Sequence, residues 1–341
     1  MSAALLVAVL LEPGEALRLD ARHWTGLLAA ARGERLIGTL AAKLDGLDVP
    51  PDVAAILADA RLDNLRERRQ ALWEVDRALA ALAPLDCPVV LLKGSAFIAA
   101  GLLAGQGRAI GDLDILVPRE RLDEVEAALL SAGWEWVKPD PYDDIYYRRW
   151  MHELPPLIHH DRDRMIDVHH TILPLTARPR PDAAAMIADA VPLEGGGAVL
   201  RIDDMLCHAA AHLLADGDMA GGLRNLWDIH CLILEHGEAP NFWLALDRRA
   251  RQHGLTGPMR RAVRLSHRIF GTEAPAAWLK GAVFDALFEA RLLTRNDWGL
   301  EERPFLRLAF YIRSHWLRMP PLMLARHLWT KWRKGYRPVG P

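Results

Sequence analysis

The sequence predicts an α+β protein: a small mixed sheet backed by helices, flanked by helical regions from both ends of the chain. Three observations carry that reading. Apolar residues recur at helical spacing up to about residue 85 and again after about residue 202. Between those limits the texture changes to short β-branched runs bounded by turn formers. One amphipathic helix, Arg119 to Ser131, interrupts those strands, as an α/β core requires. The expected organisation is therefore a helical N-terminal region over 1–85, an α/β core over 86–201, and a C-terminal helical region with a basic tail over 202–341.

The elements follow in order. Ala3 to Leu11 is apolar but stops at Glu12-Pro13-Gly14. It is too short to span a bilayer and lacks the basic flank of a signal peptide, so a core helix is expected. A long helix is expected from Val53 to Leu82, opened by Pro50-Pro51-Asp52 and stopped by Pro84. Pro88 to Leu92 reads as a buried strand, and Lys93-Gly94-Ser95 opens a helix over Ala96 to Leu103 that Gly105-Gln106-Gly107 breaks. In the next strand Leu113, Ile115 and Val117 alternate with Asp112, Asp114 and Leu116, and Pro118 ends it. Further strands are expected at Trp134–Val137, Ile145–Arg149, Leu154–His159 and Met165–His169, with loops at Arg178–Pro181 and Glu194–Gly197. The later helices are Asp203–Ala215, Gly222–Glu235, Phe242–Gln252 and Pro258–Phe270, followed by tryptophan-rich segments.

A chain of 341 residues can bury a sizeable core without disulfide or metal staples. Lys+Arg 42 against Asp+Glu 44 is near balance, which argues against nucleic acid as a partner. Three cysteines without a CxxC pair suggest reduced thiols in a cytoplasmic protein. The charge is uneven, however: no acidic residue occurs from Arg303 onward. There Trp316, Trp329 and Trp332 mix with Arg and Lys, as in an interfacial or RNA-contacting helix, and contact with a membrane surface is one reading of the tail. The preferred reading is a solvated helix face covering the catalytic core.

The chemistry concentrates in V-V-L-L-K-G-S-A (89–96) and R-A-I-G-D-L-D-I-L-V (108–117). Strand side chains alternate, so Asp112 and Asp114 project on one side. Two such carboxylates repel unless a cation lies between them, and hard oxygens beside a polyphosphate suit Mg²⁺. Gly94 and Ser95 stand where a strand turns into a helix, a place where backbone can approach phosphate and unpaired N–H groups face it. The Ser95 hydroxyl can cap that helix or donate to a phosphate oxygen. Asp167, in M-I-D-V-H-H (165–170), is the expected third carboxylate of a two-metal site and the expected base for an acceptor's proton. His169 shares its face.

This order of motifs resembles the DNA-polymerase-β-like nucleotidyltransferase superfamily. The fuller string L-K-G-S-A, R-x-x-G-D-L-D-I-L-V, I-D-V-H-H is similar to a bacterial branch, the uncharacterised nucleotidyltransferase family; so are L-C-H-A-A-A-H (206–212) and L-R-N-L-W-D-I-H (223–230). The resemblance implies a nucleotidyltransferase core. It implies transfer of a nucleoside monophosphate, AMP being the one expected, from an NTP to an acceptor, with release of pyrophosphate. Two Mg²⁺ ions would be held by Asp112, Asp114 and Asp167, and the triphosphate by Gly94, Ser95, Lys93 and Arg108. The acceptor would be a small molecule, a peptide or a protein. The alternatives are a non-catalytic, antitoxin-like nucleotide-binding regulator, or an interaction scaffold acting through its helical flanks and cationic tail.

Plainer roles stand beside these. Lys93 can be a solvated residue at the sheet edge, and Arg108 can simply pair with Asp112 or Asp114. His208 and His212, at i and i+4, lack the glutamate of a zinc helix, so a buried hydrogen-bonded pair is expected. Arg224 and Asp228 are expected to tie helices together or brace the site rim. Neighbouring histidines in a strand face opposite ways, so His159-His160 and His169-His170 are not expected to chelate as pairs. His169 is placed near the metals, and His152 as a pocket or surface residue.

Overall fold

The computed structural model describes residues 2–137, 141–281, 283–318, 329 and 333, with the side chains of 141–143 and 216 left aside. The fold is mixed α and β, with one seven-stranded sheet flanked by helices. The strands are β1 (Val90–Leu91), β2 (Leu113–Leu116), β3 (Trp134–Trp136), β4 (Leu157–His159), β5 (Met165–His169), β6 (Val191–Pro192) and β7 (Ala198–Val199). Their order is β3-β4-β5-β2-β1-β7-β6. β1 runs antiparallel to β2 and parallel to β7, while β2 runs parallel to β5. The parallel β2–β5 register sets Asp114 opposite Asp167 and Leu116 opposite His169.

Local sequence explains most elements. Asp20 caps the helix Ala21–Gly33 by accepting from His23 N at 2.9 Å. The helix Pro51–Leu82 starts with proline at its first position and buries Val53, Leu57, Val75, Ala78 and Leu82. The apolar N-terminal stretch forms a helix, Ser2–Leu11, with Leu6, Val9 and Leu10 fully buried, as expected of a core helix. One continuous core runs through all three parts of the chain, from Leu27 and Leu57 through Val90 and Ile115 to Leu206 and Leu226. No helix among the described residues is long and apolar enough to cross a membrane.

Two elements differ from expectation. Ile145–Arg149, expected as a strand, lies inside the helix Pro141–Trp150. Its aromatic residues suit a strand, but charge pairing at helical spacing decides the matter. Arg148 reaches Asp144 at 2.8 Å, one helical turn back, and grips both Glu126 oxygens at 2.8 and 2.9 Å. Second, β6 and β7 form an unexpected hairpin, although the loop expected at Glu194–Gly197 is present as its turn. Strands of two residues are too short to show alternation.

Buried charge joins the two helical regions. Glu34 accepts from Arg295 Nε at 2.7 Å and from Leu223 N at 3.2 Å. Near the chain start, Ser2 Oγ donates to Asp297 at 2.6 Å.

Candidate functional site

The sheet brings three carboxylates to one face. Asp112 stands one residue before β2 and is exposed; Asp114 lies within β2 and is buried; Asp167 is its direct neighbour on β5. Parallel partners in register point to the same side, as do residues two apart along a strand. The three carboxyls feel one another's charge. Burial, and then the charges of Asp114 and Asp112, push the Asp167 carboxyl up to about 7, with only Lys93 opposing. Burial and Asp114 raise Asp112 too, against the pull of Lys93, Arg35 and Arg164. Asp114 moves the other way. Burial would raise it, but Lys93 and His169 hold it well below the ordinary carboxylate range.

The contacts of Asp114 are one-sided. Lys93 Nζ lies 2.6 Å from its Oδ1, and His169 Nε2 lies 3.0 Å from the same atom. A histidine nitrogen beside an ionised carboxylate must carry the proton. Oδ2 takes no hydrogen bond among the described residues, and Asp167 Oδ1 is buried without a hydrogen-bond partner among them. Three carboxylates against one lysine, with unused acceptor oxygens, form a donor set that fits hard divalent cations.

Lys93 begins the helix Lys93–Ala99 directly after β1, with φ of 51°. That left-handed conformation is strained for a lysine and places its amine over Asp114. Burial alone would lower the Lys93 amine, yet Asp114, with Glu153 and Asp167 behind it, raises it. It is therefore a counter-ion to the acidic face and not a solvated edge residue.

The remaining expected residues divide. A Cβ at Gly94 would stand 2.7 Å from Arg108 Nε, so the glycine makes room for that guanidinium. Ser95 Oγ is buried and donates back to Leu92 O at 3.0 Å, so it does not cap the helix as expected. Arg108 pairs with neither Asp112 nor Asp114. It binds Asp228, on the helix Gly222–His236, and lies 5.5 Å from the Phe97 ring centre. Arg224 reaches the same Asp228 at 2.7 Å and also donates to Thr39 Oγ1 at 2.6 Å and Ala104 O at 2.8 Å. Arg224 and Asp228 thus brace the rim, as expected.

A cavity of about 1220 Å³ opens in front of this face. Lys93, Gly94, Arg108, Asp112 and Asp114 line it, whereas Ser95, Asp167, His152 and His169 do not. Its other walls come from the helical regions: Arg35 from the N-terminal one, His208, His212 and Arg224 from the C-terminal one, and Arg307 and Tyr311 from the helix Pro304–Arg318. That helix lines the cavity through Arg307 and Tyr311. Trp332 and the basic residues Arg326, Lys331, Lys334 and Arg337 lie outside the described residues. Trp316 is half-exposed, with the Arg178 guanidinium 5.4 Å from its ring centre.

Arg35 escaped the sequence reading. It is exposed, has φ of 55°, and its charge acts on Asp112. No motif or periodicity marks it, because it follows a helix end and meets the site only through the fold.

The histidines also sort themselves. His169 stands against Asp114, and the His152 ring centre is 5.2 Å from that of His169, so both lie behind the carboxylates. His208 is buried on the helix Ile202–Ala211, and His212 opens a π-turn, His212–Asp216, with its Nδ1 3.3 Å from Asn225. π-turns gather at functional sites. His159 is buried and His160 exposed, as expected, yet their rings stack at 4.8 Å because β4 ends at His159. No curated protein matches the chain. A family model described as an uncharacterised nucleotidyltransferase matches residues 20–271, most of the chain, and the protein belongs to that family.

Proposed function

We propose that this protein transfers a nucleoside monophosphate from an NTP to an acceptor group and releases pyrophosphate. One observation carries the reading: Asp112, Asp114 and Asp167 gather on one sheet face, two of them lining a cavity, with Lys93 the lysine in contact with Asp114. Family membership supports nucleotidyl transfer in general. The three aspartates would hold two Mg²⁺ ions. Such ions, when bound, neutralise phosphate charge and favour attack by the acceptor oxygen.

The chain's own groups do the rest. Arg35 and Arg307 present cations to the cavity from two sides, where they can hold phosphate oxygens. Lys93 keeps Asp114 ionised and is placed to follow the triphosphate when a cation takes its position. Asp167 or a water would take the acceptor's proton. Arg108, held by Asp228, shapes the cavity wall. The cavity exceeds the roughly 300–1,000 Å³ of ordinary small-molecule sites, so it has room for a nucleotide and part of an acceptor.

Incubation with each α-labelled NTP, Mg²⁺ and a cell extract tests the reading. Label should pass to one acceptor species as pyrophosphate appears, and Asp114→Asn should abolish both. A second reading, a nucleotide-binding regulator, is favoured by the Lys93 amine standing on Asp114, where a catalytic cation would sit. It predicts nucleotide binding with no pyrophosphate from any NTP.

A further inference from the structure

Behind the aspartates lies a second set of donor groups, of different chemistry. His152, Glu153 and His169 each offer one ligand atom, and these atoms lie within 4.8 Å of one another. Glu153 Oε2 is 3.4 Å from His169 Nδ1 and 3.7 Å from His152 Nε2. Both separations exceed a normal hydrogen bond. They approach the spacing of about 3.3 Å that two ligands keep around a tetrahedral ion with bonds of about 2.05 Å.

The backbone fixes these groups. Glu153 forms an isolated antiparallel bridge with His169, which sets the two side chains together. His170 N donates to His152 O at 2.9 Å, and Leu154 N donates to Val168 O at 2.9 Å. His152 and His169 are buried, and Glu153 is largely so. His152 Nδ1 is buried without a hydrogen-bond partner among the described residues. Two imidazoles and one carboxylate are borderline donors, the set that zinc-class dications prefer and Mg²⁺ does not.

We infer that His152, Glu153 and His169 form a zinc-class metal site distinct from the aspartate face. Its consequence follows from tautomer chemistry. An ion on His169 Nδ1 forces the ring proton onto Nε2, the atom 3.0 Å from Asp114 Oδ1. The ion would thus orient a donor that holds Asp114, making His169 a positioning residue. The site does not depend on catalysis, so its test stands apart from that of the transfer reaction.

Titration of the full chain with Co²⁺, under excess Mg²⁺, reads the site through the visible absorption of tetrahedral Co²⁺; Zn²⁺ then displaces it. One Co²⁺ per chain is expected. Its affinity should fall by at least about 100-fold in both His152→Ala and Glu153→Gln, and by about 10-fold in Asp114→Asn, which removes the hydrogen-bond partner of His169. Asp112→Asn should leave it within about threefold. Circular dichroism checks that each variant is folded, and the wild-type stoichiometry stands whatever the variants do. If wild-type protein binds neither Co²⁺ nor Zn²⁺ stoichiometrically, the site does not exist. If excess Mg²⁺ or Asp112→Asn abolishes binding, the ion belongs to the aspartates and the inference is overturned.

Discussion

Two clusters of charge border the same cavity, and they are built on opposite principles. On the sheet, one lysine faces three aspartates, two of them with carboxyls raised by mutual repulsion and burial. On the helix Gly222–His236, Asp228 is clasped by both Arg108 and Arg224, and Arg224 also spends its protons on Thr39 and Ala104. The first cluster has more acids than bases; in the second, two guanidiniums share one carboxylate, and Arg108 Nε has no hydrogen-bond partner among the described residues. Charges paired across helices hold a wall in place, and an excess of like charge invites a counter-ion. Arg108, expected to grip phosphate, lines the cavity and shares Asp228 with Arg224.

Four substitutions sharpen that contrast, from the largest expected effect to the smallest. Asp114→Asn should lower pyrophosphate release by at least about 1000-fold, a barrier rise of about 4 kcal/mol. Folding should hold, as checked by the thermal melt. Near-normal turnover would remove the acidic face from the chemistry. Asp228→Ala should act in reverse, destabilising the fold by about 3–5 kcal/mol because it strands two buried guanidiniums. Denaturant unfolding measures this, and a change under 1 kcal/mol would mean that the network is not structural.

The third prediction concerns pH. Asp167 has a folded value of about 7, above the ordinary value of 3.8. A carboxyl raised in this way favours the fold below about pH 4, and that contribution is lost progressively until pH passes about 7. In metal-free protein, Asp167→Asn should therefore stabilise at pH 8 by on the order of 2 kcal/mol and hardly at all at pH 4. Mg²⁺ should raise the melting temperature of the wild type more at pH 8 than at pH 5, since binding must displace that proton. A pH-independent shift would contradict the assignment of Asp167 as a ligand. Last, Arg35→Ala should raise KM for NTP about two- to fivefold with little change in kcat, the modest contribution of an exposed cation.

How much of this was legible in the sequence depends on how local the cause is. Asp112 and Asp114 announce themselves because strand alternation operates over two residues, and Gly94 and Lys93 because a strand-to-helix turn is a local event. The β2 and β5 strands were legible for the same reason, although their pairing, which puts Asp167 beside Asp114, is a property of the sheet. Arg108 and Asp228 lie 120 residues apart, so no spacing rule connects them. Glu153 carried no signal, since its position comes from a single bridge to His169. The helix Pro141–Trp150 was misread because aromatic composition pointed one way and the Asp144–Arg148 pair the other.

The provenance of the cavity walls has an evolutionary consequence. Asp114 stands on a strand and Asp112 just before it, whereas Arg35, Arg307 and Tyr311 come from the helical regions before and after the sheet in the chain. Change in those helical regions can reshape what enters the cavity without disturbing the acidic face, so the two can vary independently.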